Sequence, residues 1–357
     1  MTEARIILML KILKPLMLFA LLLPVTTSSP AATEVDKKRS NWRIEKAEIA
    51  GEGPAVLWRE PKDIRSRNLF YGAGGKGHEP RGTFTFVKED LDGSSPKFVV
   101  EDRDGTKWKI KLGEEAQCET AASRLVWAVG YCTNENYFLP EIKVDQVPKQ
   151  LKRGRKLIAA DGAIRNVRLK RYLPDEEKIG NWEWSDNPFK GTRELDGLKV
   201  MMAIINNWDL KDVNNTIYQK KRGESGPEQV YMVSDLGAAF AGNAFGWPLE
   251  KSRGYLKGYL RSKFIRHTAP DYVDFATPAR PKFMYFFFGP GAYRNRVHMR
   301  WIGKHIPREN AAWVGQMLAR LSREQIEDAF RAAGYDAEQV DGFSTVFEHR
   351  IEELKSL

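Results

Sequence analysis

Residues 209–214, reading DLKDVN, place two carboxylates, a lysine and an asparagine within six positions, directly after an apolar run. Asp235 follows a second, shorter apolar run. Carboxylate and amide oxygens are ligands that Mg²⁺ accepts, a carboxylate can take the proton of a hydroxyl, and an ammonium can meet a phosphate. A solvated loop can carry the same residues by chance. The secondary structure around them must therefore distinguish an active-site loop from a solvated one.

Two further charged residues fall at positions that matter for the same chemistry. Lys111 ends an alternating, strand-like segment, and Glu119 lies eight residues later in a segment with helical spacing. A lysine on a rigid strand can supply a point charge to phosphates, and an acid on the next helix can hold it there. Taken singly, Lys111 is an ordinary strand lysine and Glu119 an ordinary first-turn acid. Their order and spacing carry the prediction.

The predicted elements place these residues. Residues 83–112 read as a three-stranded antiparallel meander with turns at 92–96 and 103–106. A helix follows with Gly130 as its stop signal, and then two more strands. From residue 181 onward the pattern is mostly helical, with a short strand at 230–233 and a hairpin insertion before it.

In this order the residues resemble the protein-kinase-like superfamily, whose catalytic loop reads D-x-x-x-x-N and whose metal-binding acid lies in D-F-G. DLKDVN at 209–214 fits the first motif, and Asp235-Leu236-Gly237 fits the second with leucine for phenylalanine. The turn Ser94-Ser95-Pro96 and the Asp104-Gly105 turn before the lysine strand are similar to the phosphoinositide-kinase-like and HipA-like branch. The resemblance covers residues 83 to about 240.

The resemblance implies an α+β, two-lobed kinase-like fold that uses ATP and Mg²⁺. The implied N-lobe is an antiparallel sheet plus one helix, and the implied C-lobe is mostly helical. The implied site residues are Ser94, Ser95, Lys111 and Glu119 for the nucleotide, Asn214 and Asp235 for the metal, Asp209 as catalytic base and Lys211 as the cation that meets the transferred phosphate. Asp212 is the rival base, and Asn207-Trp208 replaces the family's His-Arg.

Composition limits the partners. The chain of 357 residues has a formal net charge of +10, which favours phosphate-bearing partners without choosing among them. The sequence contains no nucleic-acid-binding motif, so a nucleic acid is not predicted as a partner. The segment 251–266 alternates cations with aromatic residues. It predicts an acidic acceptor or an anionic membrane surface, with a solvated amphipathic face as the alternative.

The first 31 residues have the pattern of a secretory signal, with three cations, a short apolar core and small residues after it. We therefore expect export, to a periplasm, with an uncleaved membrane anchor as the alternative. The predicted organisation is a signal peptide at 1–31, an irregular extension at 32–82, an N-lobe at 83–180 and a C-lobe at 181–357. Cys118 and Cys132 are predicted to be free thiols.

The sequence thus predicts an exported, ATP–Mg-dependent phosphotransferase with a hydroxyl acceptor of unknown kind. A nucleotide-binding pseudokinase or a non-catalytic envelope scaffold is the alternative, and a secreted binding protein unrelated to nucleotides is a third. The glycine-rich run at 72–77 fits G-x-G-x-x-G by letter only. No helix follows it, so a dinucleotide fingerprint is not expected there.

Overall fold

The structure is a computed structural model that describes residues 51–93, 95–113, 115–207, 209–222, 226–242, 253–276 and 299–357. The predicted signal peptide and Ser94 lie outside these described residues. The α+β class of the prediction is confirmed, with an N-terminal sheet and one helix followed by a mostly helical remainder. Among the described residues, no helix is both long and apolar enough to cross a bilayer.

The N-terminal sheet closes into a five-stranded barrel. Its strands are β2 (Phe84–Asp90), β3 (Lys97–Glu101), β4 (Lys107–Leu112), β5 (Asn136–Asp145) and β6 (Ala163–Arg171). The neighbours β2–β3, β3–β4, β4–β6 and β6–β5 are antiparallel, as the alternating pattern predicts. A parallel pairing of β2 with β5 closes the barrel, and the interior holds its own apolar cluster.

Helix α1 (Glu115–Ala128) packs against the outside of the barrel, on β4, β5 and β6. Eleven of its residues are buried, which explains why its sequence is rich in alanine and other small residues. The helix ends where predicted. Gly130 has a φ of +96°, which favours glycine, and its N–H donates to the carbonyl of Trp127.

A second sheet combines one short strand that precedes the barrel in the chain with three strands that follow it. It contains β1 (Ala55–Val56), β7 (Glu176–Gly180), β8 (Asn215–Lys220) and β9 (Glu228–Val233), in the order β1-β9-β8-β7. Strands β8 and β9 form an antiparallel hairpin, as predicted for the insertion between Asn214 and Asp235. The hairpin matters for the site because it places the two ends of this insertion side by side.

The remaining helices are α2 (Arg193–Ile204), α3 (Leu256–Arg261), α4 (Arg308–Leu318), α5 (Arg323–Arg331) and α6 (Ala337–Lys355). Thr192 caps α2 through its side chain, and capping boxes begin α5 and α6, so these starts are encoded locally. A small sheet of β10 (Ile265–Thr268), β11 (Tyr272–Phe275) and β12 (Ile306–Pro307) lies among them. One apolar cluster joins α1, α2 and the C-terminal helices.

Single turns of 3-10 helix complete the described elements, at Ile64–Ser66, Gly72–Gly74, Lys76–His78, Arg155–Leu157, Asp212–Asn214 and Met299–Gly303. The glycine-rich run at 72–77 thus forms two such turns and opens no α-helix, as expected. Cys118 and Cys132 are free, also as predicted.

Candidate active site

Lys111 is buried on the outer face of the barrel. Side chains alternate along a strand, so Trp108, Ile110 and Leu112 of β4 point into the barrel cluster while Lys111 points the other way, toward α1. The side chain of Lys111 is only 2% exposed. A lysine this deeply buried must be paired, because an isolated ammonium loses its hydration without compensation.

Three carboxylates surround the Lys111 ammonium. Its Nζ lies 2.9 Å from Glu115 Oε2, 2.8 Å from Glu119 Oε2 and 3.1 Å from Asp235 Oδ1. Glu115 and Glu119 are four residues apart on α1, which puts them on one face of the helix. An ammonium has three N–H donors, and three acceptors lie within reach of them. The structure therefore brings Lys111, Glu119 and Asp235 together around one point, as the sequence predicts.

Asp235 joins this group from the C-terminal side, two residues after β9 ends at Val233. Burial by itself raises the pKa of its carboxyl. The Lys111 ammonium and the Gly237 N–H, which donates to Oδ1 at 3.1 Å, outweigh this and hold the pKa of Asp235 below its usual value. The carboxylate is therefore ionised at neutral pH, and its side chain keeps 37% exposure toward solvent.

Arg168 is the partner that sequence reasoning missed. Strands β4 and β6 place Arg168 directly beside Lys111, and Lys97 lies on the other side of Lys111 in β3. Adjacent like charges on neighbouring strands destabilise a sheet. Glu119 compensates for this, since its Oε1 lies 3.2 Å from the Arg168 guanidinium while its Oε2 holds Lys111. Burial and the nearby Lys111 lower the pKa of Lys97.

Glu115 is a second residue that the prediction omitted. Besides Lys111, it contacts the Arg253 guanidinium, and Ser95 Oγ donates to its Oε2 at 3.1 Å. Ser95 was predicted to touch the nucleotide, and the structure places it against this acid. The i,i+4 relation of Glu115 to Glu119 on α1 is the signal that could have found it.

The predicted catalytic loop forms a second, separate group. Lys211 Nζ lies 2.8 Å from Asp209 Oδ1 and donates to Oδ2 at 3.1 Å. The Asn214 side chain donates to the backbone carbonyl of Asp209 at 2.7 Å, which closes the loop. The carbonyl oxygen of the Asn214 amide is the atom of that side chain that can ligate a cation.

The side chain of Asp212, the rival base, is fixed by a hydrogen bond to the backbone. Its Oδ1 accepts the backbone N–H of Trp184 at 3.1 Å, and it opens the 3-10 turn Asp212–Asn214. An acid that satisfies a backbone donor has a structural role that accounts for its presence. The Asp209 carboxylate pairs instead with the Lys211 ammonium.

The β8–β9 hairpin connects the two groups. Asn215 pairs with Val233, and the Ser234 N–H donates to the Asn214 carbonyl at 2.8 Å. Asn214 and Asp235 therefore lie next to the same end of the β8–β9 pair. The 20 intervening positions do not separate them, because β8 and β9 are antiparallel.

The donor chemistry fits a magnesium ion at Asn214 and Asp235. Both offer hard oxygen atoms, Asp235 is ionised, and few protein ligands suffice because Mg²⁺ keeps several waters. Oxygens of Glu115, Glu119 and Asp235 also lie within 4.8 Å of one another, but the Lys111 ammonium contacts all three. A metal bound by that trio would have to displace Lys111, so the trio fits an ammonium better than a metal.

A cavity of about 690 Å³ lies next to this site but is not part of it. Gly113 and Arg253 line the cavity, so it begins one residue beyond β4 and reaches the partner of Glu115. Lys111, Asp209, Asn214 and Asp235 do not line it. Lys111, Asp209, Asn214 and Asp235 therefore face a different space.

No family model matches the chain, and no curated protein matches it. Among solved structures, a Helicobacter pylori proinflammatory kinase, CtkA, is similar at a TM-score of 0.43 and 10% identity, over 78% of this chain and 98% of that one. A Golgi casein kinase is similar at a TM-score of 0.31 and 10% identity, over 94% and 93%. The same kinase with Mn/ADP bound gives 0.30 and 11%, over 92% of each chain.

These three solved structures are kinases. Because these TM-scores lie below 0.5, we base the functional assignment on the geometry of the site. Fold by itself does not fix activity in any case.

Proposed function

We propose that this chain is an ATP–Mg-dependent phosphotransferase that acts on a hydroxyl acceptor. The observation that carries the proposal is the buried Lys111 ammonium, held between Glu119 of α1 and Asp235 after β9. Phosphoryl transfer depends mostly on positioning and on neutralising charge. A fixed ammonium beside an ionised acid that can hold a metal supplies both.

The same geometry indicates how a nucleotide would enter. All three N–H donors of Lys111 face carboxylates, so a phosphate oxygen must replace one of these acceptors. Glu119 is fixed by Arg168, and Asp235 would turn toward the metal. Glu115 is the acceptor to be replaced, because Arg253 is already at hand to pair with it. Lys97 lies beside Lys111 and adds positive charge for the phosphates.

On the acceptor side, Asp209 is proposed to take or orient the hydroxyl proton. Lys211 lies 2.8 Å from its carboxylate and would meet the transferred phosphate. Asn214 ties the loop to the hairpin that carries Asp235. When bound, Mg²⁺ would neutralise phosphate charge between Asn214 and Asp235, and the protein side chains keep the reactants in line.

A nucleotide-binding pseudokinase or envelope scaffold is the second candidate. The observation that favours it is the neutralisation of Asp209 by Lys211. A protein in which Lys211 keeps Asp209 neutralised could still bind a nucleotide at Lys111, but it would transfer nothing. Turnover, and not binding, separates the two candidates.

Export to a periplasm and contact with an anionic membrane surface belong to the proposal as well. The support for export is the signal pattern of residues 1–31, and a reporter fused after residue 40 should be active only outside the cytoplasm. The support for a surface contact is the exposed basic character of the segment around α3, with Lys257, Arg261 and Lys263 exposed. The acceptor itself is proposed only as a hydroxyl compound.

The test is ATP binding and ATP consumption by the purified protein with Mg²⁺, with and without cell-envelope extract as a source of acceptor. Asp235→Asn should weaken Mg-ATP binding and leave Mg-free binding nearly unchanged. Lys111→Met should weaken both. Absence of ATP binding by the folded wild-type protein at millimolar nucleotide would reject both candidates, and tight binding without turnover would leave the pseudokinase.

A further inference from the structure

We propose that the 690 Å³ cavity beside the site binds a small phosphate-bearing anion. The cavity lies between the chain at 156–166, the start of α1, and the pair Arg253–Gly254, with Tyr335 opposite. Its volume is in the range of small-molecule sites. The cavity is separate from the nucleotide cleft, by which we mean the space at Lys111 and Asp235 where nucleotide binding is proposed.

The lining charges leave positive charge for a ligand. Arg165 and Glu141 pair with each other at 3.0 Å. Asp161 accepts the backbone N–H of Ala163 at 3.2 Å, so its charge is partly used within its own turn. Lys156 lines the same wall and has no carboxylate partner among the described residues. Arg253 also lines the cavity, and its guanidinium, which contacts Glu115, is the second cation that an anion there could attract.

Tyr335 supplies a second, independent indication of a ligand. It is 92% buried, being 8% exposed, and its hydroxyl has no hydrogen-bond partner among the residues that the structure describes. A buried hydroxyl without a partner is destabilising, and native proteins supply one from protein, water or ligand. Tyr335 and Gly254 both line the cavity, and the hydroxyl lies close to Gly254. An anion held by Arg253 would supply the acceptor that this hydroxyl lacks.

The beginning of α1 adds to this preference for anions. Gly113 and Gln117 line the cavity at the start of this 14-residue helix. Backbone N–H groups at a helix start carry partial positive charge and favour negatively charged ligands. The helix start, the two cations and the hydroxyl all favour an anionic ligand.

An anion bound in the cavity would change nucleotide affinity at the cleft through Arg253. This guanidinium contacts Glu115, and Glu115 contacts Lys111. An anion that attracts Arg253 leaves Glu115 to Lys111 alone and makes the cleft more negative. The anion should therefore weaken nucleotide binding, and nucleotide should weaken anion binding by the same factor. This coupling step rests on the proposed function, whereas anion binding itself does not.

The test is isothermal titration of the purified protein with inorganic phosphate, at constant ionic strength set by chloride and without nucleotide. Tyr335→Phe, which removes only the hydroxyl, and Lys156→Gln should each weaken phosphate binding about tenfold. Lys152→Gln is the matched control, because Lys152 is an exposed lysine of the same segment that does not line the cavity. It should bind phosphate as the wild type does.

A crystal soaked in phosphate should show the ion between Tyr335 and Arg253. Phosphate found only beside Lys111, or affinities equal in wild type, Tyr335→Phe and Lys156→Gln, would overturn the proposal. ATP titration of the same variants keeps the two proposals apart. Phosphate binding in the cavity without any ATP binding would support the anion site while rejecting the nucleotide function.

Discussion

The Lys111 ammonium lies 2.8 Å from the Glu119 carboxylate, and each of the two side chains is only 2% exposed. This pair joins a barrel strand to helix α1, which packs on that face of the barrel. Glu119 also holds Arg168, so one carboxylate compensates for two buried cations that are neighbours across β4 and β6. The arrangement makes the site a structural element as well as a candidate for chemistry.

Stability should therefore depend on Glu119. Glu119→Gln keeps the shape but leaves Lys111 and Arg168 buried side by side, and breaking a buried pair in this way costs about 3–5 kcal/mol. Urea denaturation should show this loss in the free energy of unfolding. Glu141→Gln, at an exposed pair with Arg165, should change it by less than about 1 kcal/mol. Equal small effects in both variants would contradict the buried-network description.

Nucleotide affinity should rise when Glu115 loses its charge. Glu115→Gln removes one of the three carboxylates at Lys111 and lowers the negative charge that a phosphate meets. We expect Mg-ATP to bind several-fold more tightly, measured by equilibrium titration. Glu309→Gln, in the first turn of α4, is a control for the loss of one acid elsewhere. Weaker binding by Glu115→Gln would mean that Glu115 supports the nucleotide rather than competes with it.

Phosphotransfer should separate Asp209 from Asp212. Asp209→Asn removes the proposed base and should lower the rate about 10²–10⁴-fold, with little change in nucleotide affinity. Asp212→Asn keeps an acceptor for the Trp184 N–H and should retain most of the activity. Rates of phosphotransfer or ATP hydrolysis under saturating Mg-ATP give the comparison. The reverse order of effects would assign the base to Asp212.

Stability should rise with pH above neutrality because of Lys170. Burial, with help from the neighbouring Arg168 and Lys109, lowers the pKa of Lys170 from 10.5 to about 7. Between those values the unfolded chain binds the proton and the folded chain does not, so raising the pH favours the folded state. One proton gives a slope of at most about 1.4 kcal/mol per pH unit.

Unfolding free energies at pH 7, 8 and 9 test this expectation. Lys170→Met should remove this part of the slope, whereas Lys178→Met, at an exposed position of β7, should keep it. In the folded protein Lys170 donates to the Tyr218 hydroxyl at 2.6 Å, so the variant also loses a contact between barrel and hairpin. A slope that persists in Lys170→Met would assign the proton to another group.

The sequence by itself determined strands β2, β3 and β4, helix α1, and the residues Lys111, Glu119 and Asp235. Period-two alternation gave β2, β3 and β4, helical spacing gave α1, and the turn residues fixed their order. Lys111, Glu119 and Asp235 could be predicted because each lies at the end or start of such an element, where the local pattern and the residue type both indicate its place. The hairpin between Asn214 and Asp235 could also be predicted from the local pattern.

Only the tertiary structure decided which charges share a space. Closure of the barrel by β2 and β5, and the register that sets Lys97, Lys111 and Arg168 in a row, depend on pairing between distant segments. Sequence spacing does not report such pairing, because a shift of one residue sends every side chain to the opposite face. The contact of Arg253 with Glu115 and the cavity beside it arise from residues more than 130 positions apart, which meet only once the chain has packed.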